Sequence, residues 1–263
     1  MELRTDKIRA CFDRKIGNFT ELWNLSTNTN YVRCAPRDPL IELYGLKNGE
    51  RVKLSGHISD EAEAPDALIL SYDSFGEYDI SAKVTCRCEQ DRLVFSAEIC
   101  NHSTIDVTEI LMPHLGGIYL GNGQKDYLIY PHHAGDKTED PVYNYAENRL
   151  TFWRGCSVPF EDIYRREINY CGLASMSWMY YYNSCGGFYI GSHDPRFPVT
   201  GVIAETSGDR ENPWMAFAFR KYFRIKQARG NLSDRGLCCM PFRQGLALRL
   251  QGVSGIHRSL SGF

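Results

Sequence analysis

No stretch of this 263-residue chain approaches the ~18 consecutive apolar residues that carry a helix across a bilayer. The first ten residues, Met1 to Ala10, are charged where a secretory leader needs an apolar core. The sequence therefore predicts a cytoplasmic protein with no membrane partner. None of the ten cysteines falls in the C-x-x-C spacing that zinc sites use, so no metal is expected. In a reducing compartment these thiols are predicted to stay reduced and to pack as small buried hydrophobes. No Gly-rich phosphate loop of the P-loop or dinucleotide type is present, and no Gly-x-Ser-x-Gly elbow, so no nucleotide or other cofactor is predicted. Helical periodicity is scarce throughout.

What the chain does have is turn formers and rings: 23 Gly and 11 Pro beside 16 Tyr, 13 Phe and 4 Trp. Hydrophobic residues make up 43% and charged residues 24%, ordinary for a folded globular chain and far from disorder. The formal net charge of −2 hides an asymmetry, because from Arg220 onward there are nine Lys or Arg and one acid, Asp234. A basic tail can mark a nucleic-acid partner, but such an arm interleaves Lys with aromatics. Residues 236–263 contain no Lys, Asp or Glu at all, so no nucleic-acid partner is predicted.

Alternation with period two dominates the chain. From Tyr78 to Glu89 one face reads Tyr78, Ile80, Ala82, Val84, Cys86, Cys88 and the other Asp79, Ser81, Lys83, Thr85, Arg87, Glu89. That is a half-buried strand, since successive side chains of an extended chain point to opposite faces. Leu93 to Ile99 and Ile105 to Met112 continue it as a three-stranded meander. Further strands are predicted at Ile8 to Phe12, Phe19 to Trp23, Ile41 to Tyr44, Arg51 to Leu54, Leu68 to Tyr72, Tyr127 to Tyr130, Leu150 to Trp153, Ser175 to Tyr182, Phe188 to Ile190, Val199 to Glu205, Met215 to Phe219 and Tyr222 to Ile225. So many strands, each with an apolar face to bury, predict an all-β fold: a large antiparallel β-sandwich spanning residues 1–227. Beyond about Ala228 the alternation fades, and residues 228–263 read as an irregular tail.

Residues 175–195 carry the most chemistry. Trp178, Tyr180 and Tyr182 alternate along a strand that turns through Gly186-Gly187 into Phe188 to Gly191, and His193-Asp194 follows. Rings stack on the apolar face of a pyranose while neighbouring polar groups take its hydroxyls, although large aromatics in a sandwich are more often core. Adjacent residues on extended chain point apart, which weakens His193 and Asp194 as an acid/base pair. His132-His133 reads as structural rather than metal-binding, and Gly116-Gly117 reads as a turn.

The stretch Ile8 to Leu25, the meander with Asn101, Met112 to Gly117, Tyr130-Pro131 with Gly135, and the 175–194 block together resemble one known arrangement. They are similar to the N-terminal β-supersandwich region of bacterial glycoside-hydrolase-like proteins that carry a DUF6259-type domain, over roughly residues 5–227. The resemblance implies a galactose-mutarotase-like fold beside a catalytic (β/α)-barrel, which needs ~250 residues that do not follow here. It thus implies a non-catalytic, carbohydrate-associated domain with no catalytic residue of its own. The composition of residues 236–263 further suggests a frameshift or a truncated linker. Candidate sugar contacts are Trp153, Trp178, Tyr180, Tyr182, His193 and Asp194, and the expected partners are carbohydrate and the missing barrel. Two alternatives stand beside this: a sugar mutarotase, for which Asn101-His102-Ser103 resembles part of the signature but Thr104-Ile105-Asp106 does not, and a purely structural interaction module. A domain parted from its barrel exposes an interdomain patch; self-association is the expected outcome, checked by light scattering.

Overall fold

The computed structural model describes residues 1–89, 92–121, 123–147, 158–160, 163–194, 198–226 and 239–251. Four short strands come first, β1 (Glu2–Arg4), β2 (Ile8–Phe12), β3 (Phe19–Asn24) and β4 (Thr29–Asn30), and form a small sheet of their own. They are followed by β5 (Glu42–Lys47), β6 (Glu50–Leu54), β7 (Asp60–Ala64), β8 (Ala67–Tyr72), β9 (Ile80–Glu89), β10 (Arg92–Asn101) and β11 (Asp106–Ile118). Next come β12 (Tyr127–Tyr130), β13 (Asp136–Glu139), the single described helix α1 (Pro141–Glu147), β14 (Val158–Phe160) and β15 (Ile163–Tyr170). The chain then runs through β16 (Trp178–Asn183), β17 (Gly186–His193), β18 (Thr200–Thr206), β19 (Met215–Ile225) and β20 (Cys239–Gln251). No described helix is long and apolar enough to cross a membrane.

Two large antiparallel sheets make the sandwich. One has nine strands in the order β13-β12-β16-β17-β20-β10-β9-β8-β7, the other seven in the order β14-β15-β18-β19-β11-β5-β6. Their facing rows build one core. Tyr181 and Phe188 of the nine-stranded sheet meet Phe217 of the seven-stranded sheet, with ring centroids 5.3 to 5.9 Å apart in mostly tilted or edge-on contacts. All three side chains are fully buried, and such aromatic contacts add to the burial of their area. The free edge of the nine-stranded sheet, β7, carries Asp60, Glu61 and Glu63, charges that discourage another chain from pairing there.

The fold class is the predicted one, and four details of the reading are corrected. The meander is β7-β8-β9-β10, and β11 does not extend it but crosses to the other sheet. Asn101 fixes that crossing: its buried amide donates to the carbonyls of Ile105, Ile225 and Lys226 and its oxygen accepts from Ser103. Met215 to Ile225 is one strand rather than two, because Arg220 and Lys221, which look like a charged turn, are both buried and partnered. Gly116 and Gly117 lie within β11 rather than in a turn; Gly117 takes a positive φ of 71°, and a Cβ there would sit 2.3 Å from the Cys34 carbonyl oxygen.

The fourth concerns the tail, where Cys239–Gln251 departs from the irregular structure expected of 228–263. This thirteen-residue strand pairs with β10 on one side and β17 on the other. Leu246, Leu248 and Leu250 alternate with Ala247, Arg249 and Gln251, a period of two that the leucine-rich composition obscured. The strand also satisfies two rows of backbone N–H and C=O groups that would otherwise lack partners.

Because Phe217 fills the junction between the sheets, Phe217→Ala is expected to cost about 3–5 kcal/mol in urea unfolding. Leu173→Ala, at an exposed site, is expected to stay within about 0.5 kcal/mol.

Candidate functional site

Two surfaces carry polar or aromatic groups in a pattern that chemistry could use, one on each large sheet. On β16, Met179 and Tyr181 enter the core, so Trp178, Tyr180 and Tyr182 share the face turned away from it. Across the hairpin Tyr180 lies opposite Tyr189, and across the other edge Tyr182 lies opposite Tyr127. The rings form a ladder: Tyr180 stacks with Tyr182 at 4.9 Å, Tyr182 with Tyr127 at 5.5 Å, and Trp178 approaches Tyr189 at 5.8 Å. The Lys137 ammonium sits 4.2 Å from the Tyr127 ring centroid, and the Tyr189 hydroxyl lies 3.0 Å from Nε2 of exposed His193. Burial pushes the Tyr189 phenol up to about 12, so it stays protonated as a donor or acceptor.

Of the six predicted sugar contacts, Trp178, Tyr180, Tyr182 and His193 fall on this face, but Tyr180 is buried, its hydroxyl without a hydrogen-bond partner among the described residues. Asp194 does not join them: it is buried, and it shares its parity along the chain with the inward row of Phe188, Ile190 and Ser192. Trp153 lies outside the described residues. Tyr127 and Tyr189 belong to the ladder and were not anticipated. Tyr189 was within reach, since a hairpin closed at Asn183 and Gly186 places it directly across from Tyr180.

The second surface lies on the seven-stranded sheet. Val202 and Ala204 of β18 join the main core, while Ile203 packs with Tyr44, Leu111 and Ala218 on the opposite side. Glu205 belongs to that opposite row. Its Oε2 accepts from His114 Nε2 at 2.9 Å and its Oε1 from Arg165 Nε at 2.5 Å. His114 and Glu205 are almost wholly withdrawn from solvent, at 2% and 1% side-chain exposure. Burial raises the carboxyl, yet attraction to His114 and Arg165 outweighs it and holds Glu205 at about 2. Burial lowers the His114 imidazole, and Glu205 reverses this, with Asp38 and Glu42 adding to the net upward shift. Glu42 in turn accepts from Lys53 at 2.8 Å and from the Tyr44 hydroxyl at 2.8 Å.

A row of alternating charge continues across the same face. Arg51 pairs with Glu109 at 2.7 Å, Glu109 with Arg220 at 2.7 Å, and Arg220 with Glu167 at 2.7 Å. The Arg51 guanidinium also lies 3.8 Å from the Tyr44 ring centroid. None of these groups was singled out from sequence, because their chemistry appears only when six strands, from β15 to β6, are set side by side.

With this geometry in hand, the chain can be set beside known proteins. No family model matches it, and no curated protein is similar to it in sequence. Solved structures are similar in shape. An α-N-acetylgalactosaminidase from Bifidobacterium bifidum aligns with a TM-score of 0.58 at 10% identity, over 99% of this chain and 38% of that one. The α-galactosidase AgaA from Geobacillus stearothermophilus aligns at 0.54 with 9% identity, over 97% and 41%. A galactose mutarotase related enzyme from Lactobacillus acidophilus aligns at 0.50 with 8% identity, over 96% of each chain. The fold is galactose-mutarotase-like. The chain spans about two fifths of each of the two glycosidases.

Mutarotation of a sugar needs a base to take the anomeric hydroxyl proton and an acid to serve the ring oxygen, both within reach of the substrate. His114 and Glu205 instead hydrogen-bond each other, and both Glu205 oxygens are occupied. Donor atoms of Asp38, His114 and Glu205 lie within 4.8 Å of one another, close enough to meet one cation. In this group Glu205 is already engaged by His114 and Arg165, while the buried His114 Nδ1 has no hydrogen-bond partner among the described residues. His132 is engaged likewise, its Nδ1 3.2 Å from Asp136 Oδ2, and Asp136 also binds Arg166.

The cluster sets the pH dependence of stability. Glu205 is held below its ordinary 4.5, so it stabilises the fold above about pH 4.5 and loses this as pH falls toward 2. His114 is held above its ordinary 6.5, so it stabilises below that value and loses this as pH rises through its raised pKa. Thermal unfolding is expected to show greatest stability between about pH 4.5 and 6.5, with the alkaline decline flattened in His114→Gln. Glu205→Ala is expected to cost about 3–5 kcal/mol, since it strands the buried His114 imidazole and the partly buried Arg165 guanidinium.

Proposed function

We propose that this chain is a carbohydrate-associated sandwich domain that performs no catalysis by itself and acts beside a glycosidase (β/α)-barrel. The observation that carries the reading is the closed state of Glu205, bound at both oxygens and buried, together with the engaged His132–Asp136 pair. Each is an imidazole beside a carboxylate, the combination an epimerase would need, and each is committed to structural partners. The fold it shares with domains covering about two fifths of two glycosidases supports the association with a barrel.

The aromatic ladder is the surface offered to sugar. Trp178 and Tyr189 are half-buried and His193 is exposed, so ring edges, a hydroxyl and an imidazole are presented together. A pyranose engaged by such a surface is expected to bind weakly; millimolar affinity corresponds to about 4 kcal/mol.

Polarimetry on freshly dissolved galactose and glucose is expected to give the uncatalysed rate. Heteronuclear NMR titration with galactose and N-acetylgalactosamine is expected to shift resonances of the ladder, and Trp178→Ala to weaken the response at least fivefold. Accelerated mutarotation that disappears in Glu205→Gln would sink the non-catalytic reading. Sugar titrations that leave the ladder unmoved would leave docking to the barrel as the domain's whole role.

A further inference from the structure

The described cysteines divide by position. Cys86 and Cys88 lie in the core of the nine-stranded sheet, where burial pushes the Cys88 thiol up to about 11 and the Cys86 thiol well above its ordinary value. Such thiols are poor nucleophiles, because the thiolate is the reactive form. Cys171 and Cys185 are exposed, and neither lies at a strand position opposite another cysteine. Cys100 is different. It is half-buried on β10, and in the antiparallel register with β20 the residue directly opposite is Cys239.

We propose that Cys100 and Cys239 form a reversible cross-strand disulfide that fastens β20 into the nine-stranded sheet. Directly opposed residues of an antiparallel pair have Cα atoms ~4.5 or ~5.5 Å apart, depending on the hydrogen-bonding position. Both separations fall inside the ~4.4–6.8 Å that a disulfide bridges. Opposed residues also share one face of the sheet, and Cys100 belongs to the row with Val94, Ser96 and Glu98 rather than the core row of Leu93, Phe95, Ala97 and Ile99. An oxidant can therefore reach the half-buried Cys100 without opening the sandwich.

The chemistry is thiol–disulfide exchange with a small-molecule disulfide of the glutathione class. One cysteine thiolate attacks, breaks the small molecule's S–S bond and forms a mixed disulfide, releasing one small thiol. The second cysteine thiolate then displaces the second small thiol. One protein S–S bond is formed, two protein thiols are oxidised, and one small disulfide is reduced to two thiols. The link closes a loop of roughly 140 residues, and long loops confine the unfolded chain most.

The test is oxidation of the full chain with oxidised glutathione, followed by non-reducing peptide mapping and thermal unfolding. The expected result is a Cys100–Cys239 linked peptide and a melting temperature about 5–10 °C above that of the reduced protein. Because Cys238 adjoins Cys239, three variants locate the bond: it should persist in Cys238→Ser and vanish in Cys100→Ser and Cys239→Ser. Reduced Cys100→Ser should melt within a degree or two of the reduced parent, which separates the bond from a packing effect. A link to Cys238 that survives Cys239→Ser would overturn the proposal, as would a folded, oxidant-treated chain in which Cys100 remains fully alkylatable.

Discussion

The sandwich depends on one contact between its layers, the meeting of Tyr181 and Phe188 with Phe217. Every strand of period two must give one row of side chains to a shared interior, and this cluster is where the two largest sheets commit those rows to each other. A polar group in that interior has to arrive with its partners. Lys221 shares the inward row with Phe217 and Phe219, and its ammonium donates to the hydroxyls of Ser192 and Thr200 at 2.5 Å each. Those hydroxyls come from β17 and β18, so a buried cation ties one sheet to the other where hydrocarbon packing alone would leave it unsolvated.

The outer face of the seven-stranded sheet obeys the same rule in a different material. Arg51, Glu109, Arg220 and Glu167 alternate in sign across the sheet, and Glu205 is held between His114 and Arg165. Charges removed from water must be matched almost one for one. That matching holds the Glu205 carboxylate at about 2 and the His114 imidazole above its ordinary range.

Much of the architecture was legible because alternation is a local signal. The run from Ile80 to Cys88, the pair Ile8–Phe12, and the turn at Asn183 to Gly187 each declare strand or turn within a few residues. What failed to show was everything requiring a second strand. Arg220-Lys221 looked like a turn until Glu109, Glu167, Ser192 and Thr200 were brought beside it. The crossing of β11 from one sheet to the other rests on an amide at Asn101 bonded to carbonyls more than a hundred residues away. The ladder was half visible: the alternation of Trp178, Tyr180 and Tyr182 announced a shared face, but Tyr127 enters it only through the β12–β16 register. Asp194 lies off the ladder for a reason legible in the sequence, since a neighbour of His193 on extended chain faces the other way.

The position of β20 bears on how the molecule is made. A ribosome delivers the other described strands before this one, yet its place is in the middle of the nine-stranded sheet. Until it emerges, β10 and β17 each present a raw hydrogen-bonding margin on opposite halves of an unfinished layer. The halves are far apart in sequence, so the closing step joins regions of high contact order and comes late. During that interval the nascent chain holds two sticky borders, and residues remote from any sugar or charge cluster then govern how much of it reaches the soluble, finished state.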